Sequence, residues 1–166
     1  MTDHKDIAIL ITGGTLDKVH DTLTESLVFG GGGKTRVSNI LKSGRCDHPR
    51  LQVLMQIDSL EMTDLHREHI LSAVLLSPEN HIVITHGTGT MEQTAQFLDS
   101  QTEDKVIILT GAMRPQSLGK SDANFNLGGA IIAAQTLPKG VYGIMNGRIF
   151  EAKDLHKNTQ TGRFDR

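Results

Sequence analysis

A three-layer α/β domain built on a mostly parallel sheet is the fold this sequence predicts, and three observations carry the prediction. Short, continuous runs of apolar and β-branched residues recur along the 166 residues. Helical stretches lie between several of them, two closed by a proline. Three of the runs end in turns made of threonine and glycine, the composition expected where a strand feeds a crossover connection.

The elements follow in order. Ile7–Ile11 is apolar at every position and is stopped by Thr12-Gly13-Gly14-Thr15, as a central strand buried on both faces requires. Residues 16–38 contain no comparable run and hold Gly30-Gly31-Gly32-Gly33, so they read as one long connection, a lid or binding loop. Leu51–Ile57 is the next strand, and Thr63–Ser77, closed by Pro78, a helix. His81–Thr85 and Lys105–Leu109 are strands that flank a helix over Met91–Leu98. Asn124–Leu137, closed by Pro138, is the last helix and Gly140–Met145 the last strand. Residues 1–166 thus read as a single domain. In open parallel sheets ligands sit beyond the carboxyl ends of the strands, so function is to be sought in the loops after them.

Composition narrows the function classes. Seventeen Lys+Arg against 19 Asp+Glu leave a net charge of −2, without the basic excess of a nucleic-acid binder. Cys46 is the only cysteine, which excludes an intrachain disulfide and a cysteine-rich metal site and makes a reducing cytoplasm the expected compartment. The Ile7–Ile11 run is far too short for a membrane span. His66 and His69 lie three apart, not at the i, i+4 spacing of a zinc helix, and His81 and His86 lack companion ligands, so no metal or other cofactor is expected. Gly33-Lys34-Thr35 imitates the end of a phosphate loop, but Val28 stands where that motif needs its first glycine.

The stronger constellation is the set of turns. Thr12-Gly13-Gly14-Thr15, His86-Gly87-Thr88-Gly89-Thr90 and Thr110-Gly111-Ala112-Met113 each follow a strand and converge on one edge of the predicted sheet. Glycine lets a ligand approach backbone N–H groups, and threonine presents a hydroxyl, although both are also ordinary turn and cap residues. A threonine hydroxyl becomes a nucleophile only when something takes its proton. Lys157, in the polar segment after the last strand, could fold back to do so; a solvated surface lysine is the alternative.

These blocks, together with Asp58-Ser59-Leu60-Glu61-Met62, Asn124-Phe125-Asn126-Leu127 and Asp154-Leu155-His156-Lys157-Asn158-Thr159, resemble the threonine amidohydrolases of the bacterial L-asparaginase family, specifically their N-terminal domain. The resemblance runs over residues 7–159. It implies hydrolysis of L-asparagine to aspartate and ammonia through an acyl-enzyme on Thr15. Thr88 is then the second catalytic threonine and Lys157 the proton acceptor behind it. Asp58 and Ser59 match the segment that meets the substrate's α-carboxylate, and Ala112 lies against the scissile amide. Backbone N–H groups of the Gly14-Thr15 and Gly87-Thr88 turns match the oxyanion donors.

Two departures stand out. Gly89 replaces the family aspartate that pairs with the substrate's α-amino group, a loss that commonly costs about 2–5 kcal/mol of affinity. The family's lid tyrosine is also missing, and His20 is the nearest stand-in. Relatives are about twice as long, with a second domain packed on a neighbouring subunit, so a homodimer is the expected assembly. The rival to an amidohydrolase is a catalytically weak relative that only binds a small amide or acid.

Overall fold

The computed structural model describes residues 5–165. Its strands are β1 (Ile7–Gly13), β2 (Lys18–Asp21), β3 (Ser26–Phe29), β4 (Arg50–Ile57), β5 (His81–Thr85), β6 (Val106–Thr110), β7 (Gly140–Met145), β8 (Arg148–Glu151), β9 (Lys157–Asn158) and β10 (Arg163–Phe164). The helices are α1 (Val37–Ser43), α2 (Asp64–Leu76), α3 (Met91–Asp99) and α4 (Ala123–Thr136). The main sheet has the order β4-β1-β5-β6-β7-β8, parallel except for the edge strand β8, which returns antiparallel along β7.

Two cores, one on each face, explain why β1 is apolar throughout. Ala8 and Leu10 face the layer formed by α2 and α3, through Ile70, Val74, Ala95 and Leu98. Ile7, Ile9 and Ile11 face the layer formed by α1 and α4, through Val37, Ile40, Leu127 and Ala130. Alternation of side chains along a strand sends successive residues to opposite layers, so a strand covered on both sides tolerates no polar position. The three-layer, mostly parallel architecture is therefore as the sequence predicts.

The strand order creates the cleft. The chain leaves β1 towards β4 on one side, then crosses back to β5 on the other, so the topological switch point lies between β1 and β5. Helices starting from these neighbouring strands diverge there and leave a crevice at the carboxyl ends.

The connection over residues 16–38 differs from the loop expected of it. A 3₁₀ turn at Thr15–Asp17 leads into an antiparallel β2–β3 hairpin, with Val19 opposite Val28, before α1 begins. The hairpin rests on the turn after β6, where the Ser117 hydroxyl donates to the Lys18 carbonyl at 2.8 Å. Its strands carry no clear signal in the sequence because they are short and none of their residues is buried, without the buried alternation that marks a strand. The Asp17 carboxylate anchors its far end, accepting from the Arg36 N–H (2.6 Å) and the Thr35 hydroxyl (2.8 Å) at the start of α1. Among the described residues no helix is long and apolar enough to cross a membrane.

Candidate active site

The turns after β1, β5 and β6 touch one another. Gly14 has φ +75°, and a Cβ built on it would lie 2.5 Å from the Gly87 nitrogen, so the β1 and β5 turns meet backbone to backbone only because position 14 is glycine; a Cβ on Gly87 would instead meet the Ser59 side chain. Gly111 packs in the same way against the His86 carbonyl. Thr15 and Thr88 each follow one of the touching glycines, at the carboxyl ends of β1 and β5 on either side of the switch point. Thr15 is half-buried and Thr88 buried.

Lys157 reaches Thr88. Its Nζ donates to Thr88 Oγ1 at 3.0 Å, across 69 residues of sequence. The reach depends on the short β9–β10 pair, in which Lys157 sits opposite Phe164. Phe164 is buried against Phe150, with ring centroids 6.4 Å apart, and its N–H donates to Asn146 Oδ1. Leu155, also buried, fills the space beside Gly143. Two apolar anchors thus hold the polar segment against the core and aim its lysine inward. The Thr88 hydroxyl itself faces Met113 Sδ at 3.5 Å.

Ser59 and its neighbours form the third wall. The Ser59 hydroxyl accepts from the N–H groups of Gly89 (3.1 Å) and Thr90 (3.3 Å), while Thr90 Oγ1 donates back to the Ser59 carbonyl at 2.8 Å. Asp58 caps this turn by accepting from the Leu60 N–H. Lys18 Nζ, on the hairpin, donates to Asp58 Oδ2, and that contact first, then the Leu60 N–H, holds the Asp58 carboxyl below the usual carboxylate range. Ala112 is buried at the end of β6, where Asn126 Nδ2 donates to the Gly111 carbonyl and Asp122 accepts from the N–H of Met113.

His20 is not brought in. It is exposed on β2, opposite Leu27, and makes no hydrogen bond to Thr15. Two other histidines have structural partners: His66 Nδ1 accepts from the Thr63 N–H at the start of α2, and His81 Nδ1 meets the Ala134 carbonyl at 2.7 Å. Among the described residues no group of three His, Cys, Asp or Glu side chains could hold a metal ion.

His86 has a role that its sequence position does not announce. Nδ1–H donates to the Gly87 carbonyl at 2.7 Å, leaving Nε2 to accept from the Thr94 hydroxyl at 2.8 Å, which in turn accepts from Arg67 Nε. This buried chain orients the peptide that carries Thr88. Only the His86–Thr94 spacing, i to i+8 from a strand end into α3, hints at it in sequence. Burial pushes the His86 pKa down from 6.5 to about 4, with the Gly87 carbonyl opposing and Arg67 reinforcing. Above pH 6.5 the ring is neutral in both folded and unfolded chains; between 6.5 and 4 only the unfolded chain takes up the proton, so stability falls with acidification. The loss from this group totals about 3 kcal/mol. Urea unfolding of His86→Asn is expected to show a flatter decline over that interval, and an unchanged decline would refute the assignment.

The chain resembles known proteins in sequence and in fold. Residues 6–165 match the family model "Asparaginase, N-terminal", and the chain belongs to the asparaginase family. It is 31% identical to L-asparaginase 2 of Escherichia coli over 94% of this chain and 47% of that protein. It is 33% identical to the glutaminase-asparaginase of Acinetobacter glutaminasificans over 92% of this chain and 49% of that one. Among solved structures, a probable cytoplasmic L-asparaginase from Campylobacter jejuni superposes with a TM-score of 0.77 at 30% identity, covering 93% of this chain and 50% of its own. The chain spans about half the length of the relatives it matches.

Proposed function

We propose that this chain hydrolyses a small ω-amide through an acyl-enzyme on Thr15, with L-asparagine as the reference substrate of its relatives. The observation that carries the reading is the 3.0 Å contact between Lys157 Nζ and Thr88 Oγ1, beside the turn that bears Thr15. Thr15 Oγ1 attacks the amide carbon. Its proton passes to Lys157 by way of Thr88 and is returned to the departing nitrogen, which leaves as ammonia. Water then cleaves the ester, releasing the acid and restoring the Thr15 hydroxyl. The N–H groups of Thr15 and Thr88 are the donors for the developing oxyanion, and one such donor is worth about 3–4 kcal/mol in the transition state. Ser59 and the Gly87-Thr88-Gly89 turn bound the acyl part of the substrate, and Ala112 lies at the amide end.

The binding-module alternative draws on Gly89, which leaves the site without the family's carboxylate. The proposal includes assembly as a homodimer, supported by the open apolar face of Phe125, Ile132 and Ile149 on α4 and β8. Ammonia release from L-asparagine, L-glutamine and simple ω-amides tests the hydrolase reading. Turnover of at least one amide is expected, with an acid-quenched acyl adduct mapping by mass to the peptide holding Thr15. No ammonia and no adduct would leave the binding module.

A further inference from the structure

The apolar anchors of the lysine segment fix its depth but not its register. Burial of Leu155 and Phe164 is non-directional, and β9 and β10 are only two residues each, too short to hold a geometry alone. A directed bond supplies the register. The Phe164 N–H donates to Asn146 Oδ1 at 2.8 Å, and Phe164 pairs with Lys157, whose amine meets Thr88.

Asn146 satisfies two demands at once. It occupies the tight turn between β7 and β8, where Met145 pairs with Arg148, and there it has φ +54° beside Gly147 at +71°. Few side chains accept that left-handed backbone; asparagine and aspartate are among them, and both also carry an acceptor oxygen. Glycine meets the first demand and not the second.

The turn is itself tied to the amide end of the crevice. The Asn146 N–H donates to Oδ1 of Asn126, a buried residue in the first turn of α4, whose Nδ2 donates to the Gly111 carbonyl and to Asp122. Asp122 accepts from the N–H groups of Met113 and Arg114. Because the Thr88 hydroxyl faces Met113 Sδ, the contacts run from Met113 through Asp122, Asn126, Asn146 and Phe164 to Lys157 and Thr88, and close into a ring. Polar groups chained in this way reinforce one another.

We infer that Asn146, which reaches no reacting atom, is a positioning residue: its Oδ1 sets the register of β10 and thereby the approach of the Lys157 amine to Thr88. The inference rests on the amide-hydrolase reading above and adds to it a group outside the crevice.

Asn146→Gly tests it, since glycine keeps the turn backbone and removes the acceptor. Asn146 is exposed, so the variant should fold and melt near the parent. Its kcat for ammonia release is expected to fall by about 10- to 100-fold with KM within about twofold, the scale of a catalytic group displaced by about 1 Å. Asn146→Asp, which retains both the oxygen and the turn, should restore most of the rate. In the Lys157→Met background Asn146→Gly should change kcat by less than about twofold, because its route to the chemistry is the lysine; a merely structural defect would lower both backgrounds alike. An unchanged kcat in Asn146→Gly, no rescue by aspartate, or equal losses in the two backgrounds overturns the inference and leaves amide hydrolysis standing. If the native chain releases no ammonia from any amide, the hydrolase reading fails instead, and acetic anhydride labelling of Lys157, read by mass spectrometry against the exposed Lys139, decides the placement. Several-fold faster labelling in Asn146→Gly but not in Asn146→Asp sustains it; equal labelling overturns it.

Discussion

Thr15→Ala is expected to lower ammonia release by about 10⁴-fold or more, the loss typical when a covalent nucleophile is removed and only the oxyanion donors and the binding wall remain. The fold should not notice. The Thr15 hydroxyl makes no hydrogen bond among the described residues, and the 3₁₀ turn it begins is held by backbone, with the Asp17 N–H bonded to the Gly14 carbonyl at 3.1 Å. A substitution of this kind usually changes stability by less than about 0.5 kcal/mol. Steady-state ammonia assays beside thermal melts of both proteins therefore separate chemistry from folding. Thr15→Ser, which keeps the hydroxyl, should retain measurable turnover. A Thr15→Ala chain as active as the parent would remove this residue from the chemistry.

Lys157→Met is the second large effect, a fall in kcat of about 10²–10⁴ with KM little changed, the range for removal of a positioned acid–base group. Methionine matches the length of the lysine stem and leaves Leu155 and Phe164, the anchors of the segment, in place. The amine contacts Thr88 Oγ1 and no group of the Ser59 turn, which is why binding is spared. Lys157→Arg discriminates the mechanism from simple charge. A guanidinium restores the positive charge but does not release its proton, so it should not rescue the rate. Rescue by arginine would mean that the cation acts only as a fixed charge beside Thr88.

Much of the scaffold was legible in the residues because burial on both faces demands apolar runs. Ile7–Ile11, His81–Thr85 and Gly140–Met145 appear as strands within a residue or two of where the sequence places them, and the proline-closed helices end where Pro78 and Pro138 require. Elements that contribute little to the core were not legible. The β2–β3 hairpin lies in the stretch that reads as a loop, and β8, β9 and β10 are short strands whose partners decide their conformation. The site divides along the same line. The three Thr/Gly turns stand out because glycine after a buried strand marks a close backbone approach. Asp17 and Asn126 do not, because each works through a backbone partner in another segment, and His86 does not, because its role depends on burial and on the Thr94 side chain of α3.

The sequence by itself determined the layered α/β class, the boundaries of the central strands, the three threonine-rich turns and, through its motifs, the family. All of these are set by local pattern, whether apolar periodicity, proline stops or glycine placement. Only the tertiary structure decided which turns share a crevice, since the order β4-β1-β5 arises from how crossover connections pack helices on the two faces. It also decided that Lys157, rather than resting in solvent, is drawn 3.0 Å from Thr88 by the burial of Leu155 and Phe164, and that Leu60 lies over Gly89. Contacts between residues dozens of positions apart are fixed by packing energy summed over the whole chain, and no short window of residues carries that sum.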